Sequence, residues 1–373
     1  MVDLKGQYNF IKDEVDRALE DVFQTTSFIN GPAVQEFQTN LEHYLGVKHV
    51  IPCANGTDAL QIALMGLSLS PGDEVVTPNF TFAATVEVIA LLKLKPVLVD
   101  VDPKTFMLNV DAVEKAITAK TKVILPVHLF GQCAPIEPLL TLAQKHGIYV
   151  LEDNAQALGA VYTFSNGKKA KAGTIGHVGA TSFFPSKNLG AFGDGGAIFT
   201  NDDALAHSLR GIVNHGMYER YHHDVVGVNS RLDSIQAAIL NVKLKYLDFY
   251  NEKRKTAALH YNKAFAHSEA LITPYREAQC DSHVYHQYTL QIKKGNRDKL
   301  VQHLADHNIP CGVYYPIPLH QQKAYADPTV EDSSFPNTIQ LCKEVISLPM
   351  HTELALDQIE FISKQVLCFV NKV

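Results

Sequence analysis

Between residues 49 and 153, short apolar runs alternate with segments of helical period, and that alternation restricts the chain to few architectures. HVIPCA (49–54), EVVTP (74–78), KPVLVDVD (95–102), KVILPVHL (122–129) and GIYVLED (147–153) each read as a strand. Helical spacing occupies 57–67, 83–92, 110–117 and 136–146 between them. The strands are apolar on both faces and rich in Val and Ile, the pattern of buried parallel strands with helices on either side. GATSFFPS and GGAIFTN add two more strands, and helices over 11–23 and 33–44 precede the series. The expectation is an α/β fold with a mostly parallel central sheet.

Within that frame one lysine stands out. Lys187 sits in a polar break, SFFPSKNLGAFGDGGAIFT, between two strand-like runs, with Gly190, Gly193, Gly195 and Gly196 close behind. Glycines let a backbone pass close to a bound ring. Upstream, Asp153 ends the run GIYVLED, where an open α/β sheet presents side chains to its ligand crevice. Glu152 points to the opposite face and reads as structural. An amine and an acid so placed meet the two needs of pyridoxal phosphate (PLP) chemistry. The amine forms a covalent imine with the cofactor aldehyde, and the carboxylate keeps the proton on the pyridine nitrogen.

The phosphate of such a cofactor needs donors. Asn55-Gly56-Thr57 marks a strand-to-helix turn, whose free amides and helix dipole favour an anion; the Thr57 and Ser182 hydroxyls add to it. Phe82 follows strand EVVTP and is placed to stack on the ring, although a Phe taken alone is more often a core residue than a cofactor contact. Gly190 to Gly196 is no dinucleotide fingerprint, because a strand rather than a helix follows it. No His pair shows metal-ligand spacing, so no metal is expected.

A length of 373 residues is enough for two cores. Net charge is -6 with no long run of either sign, which argues against a nucleic acid or an anionic membrane as partner. The six cysteines form no CxxC pair and are expected to be buried free thiols. MVDLKGQYNF lacks the apolar centre of a signal peptide, and no apolar stretch is long enough to span a bilayer, so a cytoplasmic protein is expected. Past an expected long helix over 233–265 the texture changes. HVYHQYTLQI, a helix near 298–308, GVYYPIPLH and a closing helix over 357–371 read as a smaller α+β unit. The expected division is a cofactor-binding large domain with an N-terminal arm at 1–245 and a small C-terminal domain at 246–373.

These segments carry a resemblance. NGTDALQIAL, GDEVVTPNFTFAAT, KPVLVDVD, EDNAQALGA, SFFPSKNLGAFGDGGAIFT, VGVNSRLDSIQAAIL and YYPIPLH occur in order over nearly the whole chain. Together they resemble the PLP-dependent sugar-nucleotide aminotransferases of the DegT/DnrJ/EryC1/StrS family. The resemblance implies an aspartate-aminotransferase-like fold, type I among PLP enzymes, and a homodimer with shared active sites. Lys187 would hold the cofactor, Asp153 its ring nitrogen, Gln156 the ring hydroxyl, Phe82 the ring face, and Gly56, Thr57 and Ser182 the phosphate. Asn229 would reach the phosphate from the partner subunit. Family members with His at the lysine position act as dehydratases, and Lys187 argues against that branch.

The implied reaction takes an amino group from L-glutamate to the C3 keto group of a nucleotide-linked sugar. CANGTDAL, RYHH and VGVNSRLD are most similar to enzymes acting on UDP-2-acetamido-2-deoxy-3-oxo-glucuronate, whose carboxylate Arg231 would clamp. Tyr314 stands where that group commonly has His, which keeps a dTDP-3-keto-6-deoxyhexose open as the alternative. A non-catalytic PLP-binding regulator is the alternative of another class. Asn30, His222, Tyr314, Tyr315 and His320 are the further expected substrate contacts; Tyr221, His223, Tyr285, His286 and Tyr288 read as nucleotide or sugar contacts or as ordinary interface and surface aromatics.

Overall fold

A computed structural model describes residues 1–371; the last two positions of the expected small domain, 372 and 373, lie outside the described residues. Two helices open the chain, α1 (Leu4–Thr25) and α2 (Pro32–Leu45). Then come β1 (His49–Cys53), α3 (Gly56–Gly66), β2 (Glu74–Pro78), α4 (Ala84–Leu91), β3 (Lys95–Val99), α5 (Val110–Ala116), β4 (Thr121–Ile124), α6 (Ile136–His146) and β5 (Tyr149–Asp153). A hairpin, β6 (Val161–Thr163) and β7 (Lys169–Lys171), leads to β8 (Val178–Ser182), β9 (Gly196–Thr200), α7 (Asp203–Ile212) and a second hairpin, β10 (Met217–Glu219) and β11 (His222–His223). The rest is α8 (Ser234–Leu244), α9 (Leu247–Phe265), β12 (Leu271–Ile272), β13 (Tyr288–Ile292), α10 (Arg297–Asp306), α11 (Pro336–Glu344), β14 (Val345–Leu348) and α12 (Leu356–Val370).

The central sheet has seven strands among the described residues, in the order β1-β9-β8-β5-β4-β2-β3. β9 alone runs against the others, pairing antiparallel with β1 and with β8. No helix lies between β8 and β9, so the chain turns back on itself as a wide hairpin, where a parallel return would need a crossover. Strand alternation then sorts the core. Ile51, Val75, Val123, Leu151 and Ile198 point to one face, beneath α3 and α7. Val76, Ile124 and Val150 point to the other, beneath α5 and α6, and Val50, Ala197 and Phe199 meet α2 and α8 there. A second core gathers Tyr261, Tyr288, Leu300, Ile346, Ile359 and Val366 around the small sheet β12-β13-β14. Leu341 and Cys342 of α11 pack back into the first.

Some expectations are corrected. The first helix starts at Leu4 rather than near residue 11, capped by Asp3, whose carboxylate accepts from the Gly6 amide. The long helix over 233–265 is two helices. The last turn of α8 tightens, with the Tyr246 N–H donating to the Lys243 carbonyl, and α9 restarts at Leu247. Four cysteines are buried, but Cys311 is half-buried and Cys368 is exposed. Helices α7 and α11 are additions that the sequence reading did not place.

Candidate active site

The carboxyl ends of β1, β2, β5 and β8 open on one cleft of about 630 Å³. Lys187, Asp153, Gly56, Thr57, Ser182, Phe82, Gln156, Tyr314 and Tyr315 all line it. Each arrives by a local rule. Asp153 is the last residue of β5 and shares the face of Leu151, toward α3, whereas Glu152 turns to the opposite face. There Glu152 is fully buried and accepts from the amides of Gly173 (2.9 Å), Ile175 (2.7 Å) and Gly176 (2.5 Å) and from His128 Nε2 (2.8 Å). The Ala134 amide donates to His128 Nδ1, so Nε2 is the protonated nitrogen.

Asp153 is buried, with Oδ2 accepting from the Thr85 hydroxyl at 3.0 Å and Oδ1 from the Ala155 amide at 3.1 Å. Burial pushes its carboxyl upward, and these two donors, with the charge of Lys187, pull it back. Thr85 lies one turn beyond Thr81 and bonds to it. Neither threonine was singled out in the sequence, although their i, i+4 spacing was the available signal.

Lys187 rides the β8–β9 loop. The loop is closed by the Phe183 amide on the Gly195 carbonyl and the Ala191 amide on the Phe183 carbonyl, both 2.7 Å. From behind, the buried Lys243 donates to the Gly190 carbonyl. Burial lowers the Lys187 amine to about 8, against the opposing pull of Asp153. A larger fraction is therefore the free base, which is the nucleophilic form.

The anion end is built by α3. Asn55 caps it, its side chain accepting from the Asp58 amide at 2.8 Å, and the amides of Gly56 and Thr57 precede any intrahelical partner. A Cβ on Gly56 would lie 2.5 Å from the Ser182 Cβ, so only glycine lets the helix start sit beside β8. The buried Ser230 hydroxyl donates to Asp58 Oδ2 at 2.6 Å and accepts from the Ala54 amide at 3.1 Å, tying the following segment to this end. Phe82 is exposed at the cleft wall, its ring centroid 6.3 Å from that of Tyr315, so the core reading of this residue is set aside. Gln156 accepts from the Phe130 amide and donates to the Tyr315 hydroxyl at 3.2 Å.

PLP fits this set of groups: an amine of lowered basicity, a buried carboxylate, free helix amides beside a hydroxyl, and an open aromatic face. Other expected residues lie elsewhere in the chain. Asn229 and Arg231 flank Ser230 outside the cleft, Arg231 reaching Asn214 at 3.4 Å. Asn30 is exposed after α1, and His222 is exposed on β11. His320 does not line the cleft. It is buried, with Nδ1 on Asn79 (2.6 Å) and Nε2 on Asp332 (2.9 Å), so both ring nitrogens are committed inside the protein. Tyr285 and Tyr288 are buried away from the cleft, whereas His286 and Asp194 line it. Among the described residues no group of three or more His, Cys, Asp or Glu side chains is arranged to hold a metal ion, and no helix is long and apolar enough to cross a membrane.

The model of the DegT/DnrJ/EryC1/StrS aminotransferase family matches residues 9–367. The chain is 45% identical to the UDP-2-acetamido-2-deoxy-3-oxo-D-glucuronate aminotransferase of Pseudomonas aeruginosa, over 97% of each chain. It is 44% identical to the pleiotropic regulatory protein of Geobacillus stearothermophilus, over 99% of this chain and 98% of that one. It is 37% identical to the dTDP-3-amino-3,4,6-trideoxy-alpha-D-glucose transaminase of Streptomyces venezuelae, over 96% and 92%. An aminotransferase structure from Brucella abortus superimposes with a TM-score of 0.93 at 40% identity, covering 99% of this chain and 98% of the other. A Bacillus subtilis structure with bound cofactor PMP superimposes at 0.89 and 28% identity, covering 97% and 82%. The chain belongs to the DegT/DnrJ/EryC1/StrS aminotransferase family and has its type I fold and its dependence on PLP.

Proposed function

We propose that the protein moves an amino group from L-glutamate to the C3 keto group of a nucleotide-linked sugar, foremost UDP-2-acetamido-2-deoxy-3-oxo-glucuronate. The observation that carries this reading is the meeting of Lys187, Asp153 and the α3 N-terminus in one cleft. The 45% identity to an aminotransferase of that substrate supports the choice of sugar. When bound, PLP supplies an aldehyde that takes up the amino group and a ring that draws off the electrons left on the substrate carbon. Asp153 would hold the proton on the ring nitrogen. Gly56, Thr57 and Ser182 would grip the phosphate, Phe82 would cover the ring, and Gln156 would meet its hydroxyl. The Lys187 amine would serve as the acid–base group that takes and returns the substrate-carbon proton, a role worth roughly a hundred- to ten-thousandfold. Glutamate and keto sugar use the cleft in turn.

The site is completed by a second copy of the chain. Asn229 is exposed and Arg231 half-buried on the segment anchored by Ser230, a position suited to a neighbouring protomer. Asn229 would meet the partner's phosphate, and Arg231 the sugar carboxylate; Tyr314 and Tyr315 would line the sugar side, while Asn30 and His222, exposed outside the cleft of their own chain, would reach the sugar only from the partner. Apolar rings left exposed at Phe23, Phe28 and Phe192 favour such an association. The protein acts as a cytoplasmic homodimer with a large domain (1–245) and a small one (246–373), and its product enters a cell-surface polysaccharide such as lipopolysaccharide.

A panel of keto-sugar nucleotides read by mass spectrometry tests the substrate. Amination of the uronic acid derivative is expected. Preference for a dTDP-3-keto-6-deoxyhexose would overturn it in favour of the alternative that the 37% identical transaminase supports. A regulatory role, which the name of the 44% identical relative supports, requires that glutamate leave the bound cofactor's absorbance unchanged.

A further inference from the structure

His286 is a buried side chain, 5% exposed, that nevertheless lines the cleft. Its chemistry is fixed by Asn188, the residue after Lys187. The Asn188 side-chain nitrogen donates to Asn251 Oδ1 (2.7 Å) and to the main-chain carbonyl of Val284 (3.0 Å). A carbonyl only accepts, so the amide nitrogen of Asn188 lies on that side and its oxygen faces His286 Nδ1, 3.2 Å away. An amide oxygen also only accepts, which places the imidazole proton on Nδ1 and leaves Nε2 bare. Among the described residues Nε2 has no protein partner, and it is not sealed in as His351 Nδ1 is. Burial keeps the ring neutral, and Lys187 and Arg254 both oppose a further positive charge beside them. Arg254 also holds the main chain, donating to the carbonyls of Tyr285 and His286 at 3.4 Å. His283 provides the contrast. It stacks on Tyr285, takes that residue's amide at Nδ1, and does not line the cleft.

We propose that His286 is a specificity-determining residue whose bare Nε2 accepts a hydrogen bond from an N–H or O–H group of the bound substrate. The two sources of that donor are the ammonium of the amino acid and a hydroxyl of the sugar. A carboxylate or phosphate oxygen at the same place would meet a lone pair and be disfavoured. The inference rests on transamination in this cleft, and the two half-reactions are measured separately in the holoenzyme. His286→Phe keeps a ring and removes the acceptor; His286→Gln keeps an acceptor. The expected result is a loss of about ten- to a hundredfold in kcat/KM for His286→Phe, largely restored in His286→Gln. A loss confined to the glutamate half identifies the ammonium, and one confined to the keto-sugar half identifies the hydroxyl. Phe within twofold of wild type in both halves, or Gln as impaired as Phe with the cofactor fully bound, overturns the proposal. Ring-nitrogen NMR of labelled histidine supplies a readout independent of turnover. The Nε2 signal of His286 is expected at the position of a bare nitrogen and unmoved from pH 6 to 8.5; a ring that titrates in this window overturns the acceptor assignment. A wild type that transaminates neither substrate would refute the proposed function while leaving that NMR result standing.

Discussion

At the scale of single residues the attachment of the cofactor depends on one amine. Burial brings Lys187 to about 8, well below the ordinary lysine value. The protonated amine cannot attack an aldehyde, so PLP attachment to the apoprotein should quicken about tenfold per pH unit and level off above pH 8. Stopped-flow absorbance checks this, and a rate still climbing at pH 10 would contradict it. Lys187→Ala should lose the absorbance of covalently held cofactor and at least a hundredfold in turnover. The sequence made this pair legible because strand alternation separates Asp153 from Glu152 without any knowledge of the fold. It did not make Thr85 or Asn188 legible, because their partners come from distant segments: Thr85 meets a carboxylate 68 positions away, and Asn188 meets a histidine 98 positions away. His320 went wrong for a related reason. Its motif lies near the cleft, but Asn79 and Asp332 hold its ring inside.

At the scale of elements the start of α3 is the most constrained joint. Gly56→Ala would set a methyl 2.5 Å from Ser182 Cβ, and neither partner is a flexible side-chain end. The expected cost is about 1–3 kcal/mol of stability together with a weaker grip on PLP, read by denaturant unfolding and cofactor titration. Ser230→Ala removes the partner of the half-buried Ala54 amide and Asp58 carboxylate, and should cost about 1 kcal/mol. Most strands and helices of the sheet were legible, because each carries its own period and its own turn. The break between α8 and α9 was not, since Lys245 and Tyr246 are ordinary helix formers and tertiary contacts decide where the turn tightens. Tyr246 bonds Glu14 of α1 through its hydroxyl.

At the scale of the whole molecule the expected dimer has a direct test. Lys187→Ala and Asn229→Ala chains, each impaired alone, should recover activity when mixed, because a mixed dimer contains one site with both native residues. Absence of recovery, with exchange of subunits verified by mass, would place Asn229 outside the partner's site. The reversal of β9 has a consequence for how the protein is made. His49 pairs with Thr200 and Cys53 with Gly196, so the strand leading into α3 finds its only neighbour among the described residues about 150 residues later. A ribosome will have synthesised more than half the chain before that edge can be zipped, which leaves β1 waiting as an unpaired ribbon for chaperones or misfolding to claim.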